Sequence, residues 1–178
     1  MRGDRNADVL VLGGGPAGST AGAMLAAAGI ETVIVEGERF PRSHAGESLL
    51  PHTLPLLDRL GVHDVVRSLP HTRRTDGASF VTRDGGRHVV YWFDEALPPA
   101  VPHAYQVRRD ELDQALLDHA RARGAEVLQG WRATAPLTYW EKAALIAARS
   151  LLLISSSKPV ASTMRSTAEL CVNSVSPI

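Results

Sequence analysis

The sequence predicts an α/β fold built on a parallel sheet, and three features of its first 36 residues carry that prediction. Residues 9–12, "VLVL", are a short apolar run ending directly in glycine, the pattern of a buried strand. Residues 16–29 read as a helix: proline suits its first turn, Ala, Met and Leu fill it, and Gly29 closes it. Residues 31–36, "ETVIVE", are a second, β-branched strand. Strand, glycine turn, helix and strand in that order make a βαβ unit, whose two strands lie parallel.

The following elements are less regular. Residues 37–48 read as a loop, 49–60 as a helix and 62–68 as a shorter one. Residues 78–82 and 87–93 alternate like strands around the turn "RDGG", a short strand insertion over about residues 76–104. Trp92 and Phe93 at its end suit either a substrate pocket or core packing. Pro98, Pro99 and Pro102 mark a linker. Residues 110–123 are the clearest helix, with Leu112, Ala115, Leu116 and Ala120 on one face and Glu111, Asp118 and Arg121 pointing outward. Gly124 stops it, and residues 125–128 form a further strand.

Composition excludes several classes of function. The 178 residues carry 19 basic and 19 acidic side chains, so no net field recruits nucleic acid or an anionic membrane. A single cysteine, Cys171, excludes an internal disulfide and a cysteine-based metal cluster. His52, His63, His71, His88, His103 and His119 lack metal-ligand spacing. Asp58 and Arg59 read as the solvated face of their helix. The start, "MRGDRNAD", is polar and unlike a signal peptide, and the longest apolar stretch, "AALIAARSLLLI", is interrupted by Arg149 and falls short of the roughly twenty residues of a membrane span. A cytoplasmic protein with no nucleic-acid or membrane partner is expected. All 15 glycines, all seven histidines and every aspartate lie at or before Gly130, whereas both lysines, Lys142 and Lys158, lie after it. Two pieces of different origin are therefore expected: residues 1–130, a partial domain, and 131–178, an atypical tail with a helix over its apolar run and then disorder.

The turn after the first strand contains G-x-G-x-x-G: Gly13, Gly15 and Gly18. Gly13 lets the chain turn off the strand, Gly15 lets a pyrophosphate approach the backbone, and Gly18 lets the helix pack on the sheet. The helix N-terminus offers free N–H groups to phosphate. Glu36, at the end of the second strand, is placed to accept hydrogen bonds from a ribose diol, and its charge disfavours a 2′-phosphate. The whole unit reads as a site for the ADP half of FAD or NAD. The alternative is a structural glycine turn in another α/β protein.

Two further segments choose between the dinucleotides. "ERFPRSHAGESLLP", residues 38–51, resembles the matching loop of flavin-dependent monooxygenases and halogenases, the p-hydroxybenzoate hydroxylase-like FAD-dependent oxidoreductases. "YQVRRDELDQALLDHARARGAEV", residues 105–127, resembles a second segment of these families, an R-x-x-L-D helix start followed by G-A-x-V. The resemblance covers roughly the first 130 residues. It implies the N-terminal part of a Rossmann-like FAD-binding domain, followed by an unrelated, partly disordered tail. It also implies that Gly13, Gly15, Pro16, Ala17, Gly18 and Glu36 bind the ADP portion of FAD. Arg42 and Ser48 would lie near the flavin and its ribityl chain, and Gln106 and Arg109 would contact the cofactor from the second segment. Taken alone, Arg42 and Arg109 read as solvated surface charges, and His44 as an exposed loop residue.

The resemblance implies an oxidation of an aromatic or polyketide-like small molecule, in secondary metabolism, with electrons from NAD(P)H or a separate flavin reductase. Monooxygenation uses reduced FAD and oxygen directly. Halogenases oxidise a halide instead, and a lysine relays the hypohalous species. This chain has no lysine before Lys142; Arg73, Arg74 and Thr75 stand in the region where family members carry it, and arginine does not readily form the relay amine. A hydroxylase is therefore the expected activity, with a halogenase or a non-catalytic dinucleotide-binding remnant as alternatives. The families continue into an Asp-Gly-type and a Gly-Asp-type motif, and no glycine or aspartate follows Gly130 here. A truncated or frame-shifted reading of a longer gene is expected to explain the tail, with a genuine C-terminal extension as the alternative.

Overall fold

The computed structural model describes residues 7–96, 98, 101–133 and 175–177. In chain order its elements are β1 (Val9–Leu12), α1 (Pro16–Ala27), β2 (Thr32–Glu36), a 3-10 turn (Pro51–Thr53), α2 (Leu54–Leu60), α3 (His63–Ser68), β3 (Arg73–Thr75), β4 (Gly77–Val81), β5 (His88–Trp92), a second 3-10 turn (Phe93–Glu95), β6 (Ala104–Gln106), α4 (Arg109–Ala122), β7 (Glu126–Gln129), β8 (Trp131–Ala133) and β9 (Val175–Pro177). They divide between two compact units, residues 1–42 with 113–178, and residues 43–112.

The first unit holds the parallel sheet that the sequence predicts, in the order β1-β2-β7. β2 is its middle strand, parallel to both neighbours, with Ile34 opposite Val11 on one side and Val127 on the other. All five of its residues are buried, which is why "TVIVE" is a continuous run rather than an alternation. α1 buries only small side chains, Ser19, Gly22 and Ala23. A Cβ on Gly22 would lie 2.4 Å from Ile34 Cδ1, so this helix approaches the sheet closely enough that any larger residue would force Ile34 to shift. Val33 and Val35 pack with Ala7, and Leu10, Leu12, Leu128 and Trp131 gather around them.

The tail departs from expectation at its start. Trp131–Ala133 is a strand, paired antiparallel with Val175–Pro177. Trp131 packs on the Ala7–Val33–Val35 cluster. Val175–Pro177 is likewise a strand where disorder is expected; the helix expected in the apolar run and the rest of the segment after it lie outside the described residues.

The second unit contains α2, α3 and two antiparallel pairs, β3–β6 and β4–β5. The helix expected over residues 49–60 begins only at Leu54. The Leu49 amide donates to Tyr105 O (2.9 Å), and Leu50 is extended, as the residue before a proline prefers. Gly61, at φ +74°, ends α2. The β4–β5 hairpin turns where "RDGG" predicts. There the Asp84 carboxylate accepts from Thr82 Oγ1 and the Gly86 amide, and these bonds hold its pKa below the usual carboxylate value. Trp92 is half exposed, so it lies outside the core. Glu111, expected to point outward, is largely buried against His71. Among the described residues no helix is long and apolar enough to cross a membrane.

Candidate functional site

The glycine turn is fixed by main-chain geometry and by bonds from both sides. Gly13 has φ +103°, a left-handed conformation that favours glycine, and its amide donates to Val35 O (2.8 Å). Gly14 is pinned twice: its amide donates to Glu36 Oε2 (2.7 Å), and its carbonyl accepts from Ser19 Oγ (2.7 Å). Gly15 is the N-cap of α1, with Pro16 and Ala17 opening the helix, and no side chain caps that end. Gly18 has no room to change: a Cβ there would lie 1.8 Å from Gly13 O.

The three glycines therefore play different parts. Gly13 supplies an unusual φ and Gly18 supplies closeness. Gly15 supplies room, because a Cβ built there would make only an ordinary contact, with Arg42 Nη2 at 3.5 Å. The sequence gives Gly18 the close approach of helix to sheet. Its tightest contact is instead with the turn itself, and Gly22 makes the closer approach to β2.

Glu36 and Arg42 flank this turn. Glu36 is 6% exposed, and both its oxygens are engaged: Oε2 accepts from Gly14 and Oε1 from the Glu38 amide (2.8 Å). A carboxylate has about four lone-pair sites, so capacity for further donors remains. Arg42 is not a solvated charge. Its side chain is 13% exposed, and its guanidinium carbon sits 4.6 Å above the Phe40 ring. Nη2 lies 3.5 Å from Glu36 Oε2 and 3.9 Å from Asp113 Oδ2. Nε is 3.2 Å from Glu38 Oε2, within ion-pair range but out of line for a hydrogen bond, and is otherwise buried without one. The segment carrying these residues is tied to the end of β7 by the Phe40 amide, which donates to Gln129 Oε1 (2.7 Å).

Leu117 and Gln129 escape a reading of the sequence alone, and Asp113, the last residue of the R-x-x-L-D helix start, carries no role in that reading. Asp113 and Leu117 are fully buried on α4, one turn apart, and Leu117 Cδ1 lies 3.2 Å from where a Gly14 Cβ would be. The available signal was an aspartate on the apolar face of an otherwise amphipathic helix.

Ser48, Gln106 and Arg109 belong to the second unit. Ser48 bridges to Gln106 in β-fashion, and Gln106 Nε2 donates to Ser48 Oγ (2.8 Å). Arg109 Nη1 donates to Ala45 O (2.7 Å) next to Gly46, whose φ is +97°. Ser43, His44, Gly46, Glu47, Ser48 and Gln106 line an open groove. Asp58, exposed as expected, also pairs with His63 Nδ1 (2.6 Å), and His63 Nε2 lies 3.2 Å from the Tyr105 hydroxyl. His103 stands edge-on to Tyr105; burial first, then the positive field of Arg74, lowers its pKa. Among the described residues no cluster of His, Cys, Asp or Glu is placed to hold a metal ion.

The arrangement around Gly15 suits a phosphate-bearing cofactor: an uncapped helix N-terminus on one side, a buried guanidinium on the other, and space between that a Cβ would enter. Comparison with known proteins agrees. Residues 6–141 match the family model described as an FAD binding domain. A 1H-pyrrole-2-carbonyl-[peptidyl-carrier protein] chlorinase of Pseudomonas fluorescens is 35% identical over 71% of this chain and 32% of its own length. A tryptophan 2-halogenase of Chondromyces crocatus is 37% identical over 68% of this chain and 22% of its own. Among solved structures, the flavin-dependent halogenase CmlS superposes with a TM-score of 0.65 at 37% identity, covering 74% of this chain and 24% of that one. A flavoprotein/dehydrogenase from Cytophaga hutchinsonii superposes at 0.66 with 34% identity, covering 72% and 31%. The chain thus spans about a third or less of the length of these curated relatives. With the glycine turn, the buried acid at the end of β2 and the family match in agreement, the chain belongs to the FAD-binding domain family, within the superfamily of FAD-dependent monooxygenases and halogenases.

Proposed function

We propose that this chain forms the FAD-binding part of a halogenase-type oxidoreductase acting on a small organic molecule, with a separate flavin reductase or NAD(P)H as electron source. The observation that carries the cofactor assignment is the open side of Gly15 facing Arg42. FAD supplies redox and oxygen chemistry when bound. The amides at the start of α1 would meet its pyrophosphate, Arg42 would add a positive charge there, and Glu36 would accept from the ribose while bracing Gly14. Ser48, Gln106 and Arg109 are assigned to the remaining part of the cofactor by the family resemblance. The part up to Gly130 is taken as the FAD-binding portion; the loss of Gly, His and Asp after it supports a tail of different origin.

The halogenase reading replaces the hydroxylase expectation because the relatives reported above include a chlorinase and a halogenase. Hydroxylation remains a second reading on one specific observation. Arg73, Arg74 and Thr75 occupy β3, in the region where the resembling families carry the relay lysine, and Arg74 is committed to Asp76 (2.7 Å).

Two measurements test these assignments. FAD titrated into the purified chain is expected to bind, and Gly15→Val is expected to abolish binding without unfolding the protein. Gly15 has an ordinary φ of −69°, so the added side chain only fills the open space. Full FAD stoichiometry in Gly15→Val would show that the cofactor lies elsewhere. The chain is then supplied with FAD, a flavin reductase and bromide or chloride, and offered pyrroles, indoles and phenols. Halogenated product supports the first reading and hydroxylated product the second. Bound FAD without either product supports a non-catalytic cofactor-binding role.

A further inference from the structure

We propose that Asp113 is a positioning residue for the cofactor site: acting through Arg42, it holds a guanidinium at the open side of Gly15. This rests on the FAD reading above. Asp113 is 0% exposed, and a carboxylate wholly removed from water needs a cation nearby. Arg42 Nη2 is 3.9 Å from its Oδ2 and 3.5 Å from the Cβ position of Gly15, so one nitrogen links the buried acid to the turn.

The other carboxylates around Arg42 are less suited to this task. Glu38 is 60% exposed, and water screens its pull. Glu36 already accepts from two main-chain amides. Neither Nη2 contact is as short as the 2.7–2.9 Å of a charge-assisted hydrogen bond. Arg42 Nε has no hydrogen bond at all. The guanidinium is held by the surrounding negative field and its stack on Phe40 rather than forked onto one carboxylate, which leaves N–H donors for an anion. α4 sets the placement. Leu117, one turn beyond Asp113, rests against Gly14, so the helix that buries the acid also packs on the turn.

The test is a double-mutant cycle on the 178-residue chain, reading FAD affinity by quenching of flavin fluorescence at fixed ionic strength, with far-UV circular dichroism and melting temperature recorded for each variant. Asp113→Asn is expected to weaken FAD binding about tenfold, within the range of coupling between members of one ion-pair network. Arg42→Gln is expected to weaken it at least as much, and the double variant no more than Arg42→Gln alone. A further loss in the double variant would show that Asp113 acts independently of Arg42 and would overturn the role. An Asp113→Asn protein that melts lower but binds FAD as tightly as wild type would also overturn it. If Asp113→Asn alone does not fold, the double variant, which removes both buried charges, still decides by comparison with Arg42→Gln. A wild-type chain that takes up no FAD would overturn the cofactor reading and this role with it; intact uptake with additive losses would overturn this role alone.

Discussion

β2 and β5 are both five-residue strands rich in β-branched side chains, "TVIVE" and "HVVYW", and they have opposite fates. Every residue of β2 is buried and every residue of β5 is exposed, with Val89, Val90, Tyr91 and Trp92 all open to solvent. The difference lies in the neighbours. β2 has a parallel partner on each edge, α1 packed on Ile34, and an apolar cluster around Val33 and Val35. Among the described residues β5 pairs with β4 alone. A β-branched run therefore encodes an extended backbone, while burial is decided by chain elsewhere.

Substitutions can break or sharpen this contrast. The largest effect is expected from Gly18→Val, which places carbon within 1.8 Å of a main-chain oxygen that cannot swing away. A loss of on the order of 4 kcal/mol or more is expected, seen as the absence of a cooperative melt. Ile34→Ala in β2 should cost about 2–5 kcal/mol in urea unfolding, whereas Val90→Ala in β5 should stay within about 0.5 kcal/mol. Equal losses at these two positions would mean that β5 is as buried as β2 in solution.

Glu36→Ala comes next. It removes the acceptor of two main-chain amides, and a loss of about 1–3 kcal/mol is expected. Because Glu36 braces Gly14 and is proposed to accept from the ribose, both FAD and FMN should bind more weakly, FAD by the larger factor. An unchanged FMN affinity would confine Glu36 to the ribose.

The smallest effect concerns pH. The folded pKa of His103 is below its unfolded value, so the unfolded chain binds more protons as the pH falls through the usual histidine range. Its contribution to stability is complete above about pH 6.5 and declines below it. His103→Gln should flatten that part of a melting-temperature profile, and an unaltered slope would show that His103 does not titrate there.

The regions legible in the sequence were those where local pattern and final contacts coincide. β1, α1 and β2 announce themselves because the glycine turn, the helix start and the buried strand each have a short-range signature. β3 and β6, "RRT" and "AYQ", are three residues each and carry no alternation to read. The start of α2 was misplaced because the Leu49 amide is claimed by Tyr105, 56 residues away, and no local rule anticipates that bond. Spacing puts Glu36 at the end of β2, where the structure has it, but the bond to Gly14 that occupies Oε2 emerges only in three dimensions. Asp113 was hidden by its charge: an aspartate on a helix is ordinarily a surface residue, and this one is buried with Arg42 nearby.

The two bonds that pin Gly14 have a further consequence for timing and affinity. Its amide belongs to one peptide plane and its carbonyl to the next, so Glu36 and Ser19 between them immobilise successive planes of the turn. Freezing a residue's backbone costs about 1–2 kcal/mol of entropy. Here that ordering is completed when the domain folds, so none of it is subtracted when a dinucleotide arrives. Loosening either anchor would shift the ordering to the moment of encounter, and the site would become slower to fill as well as weaker.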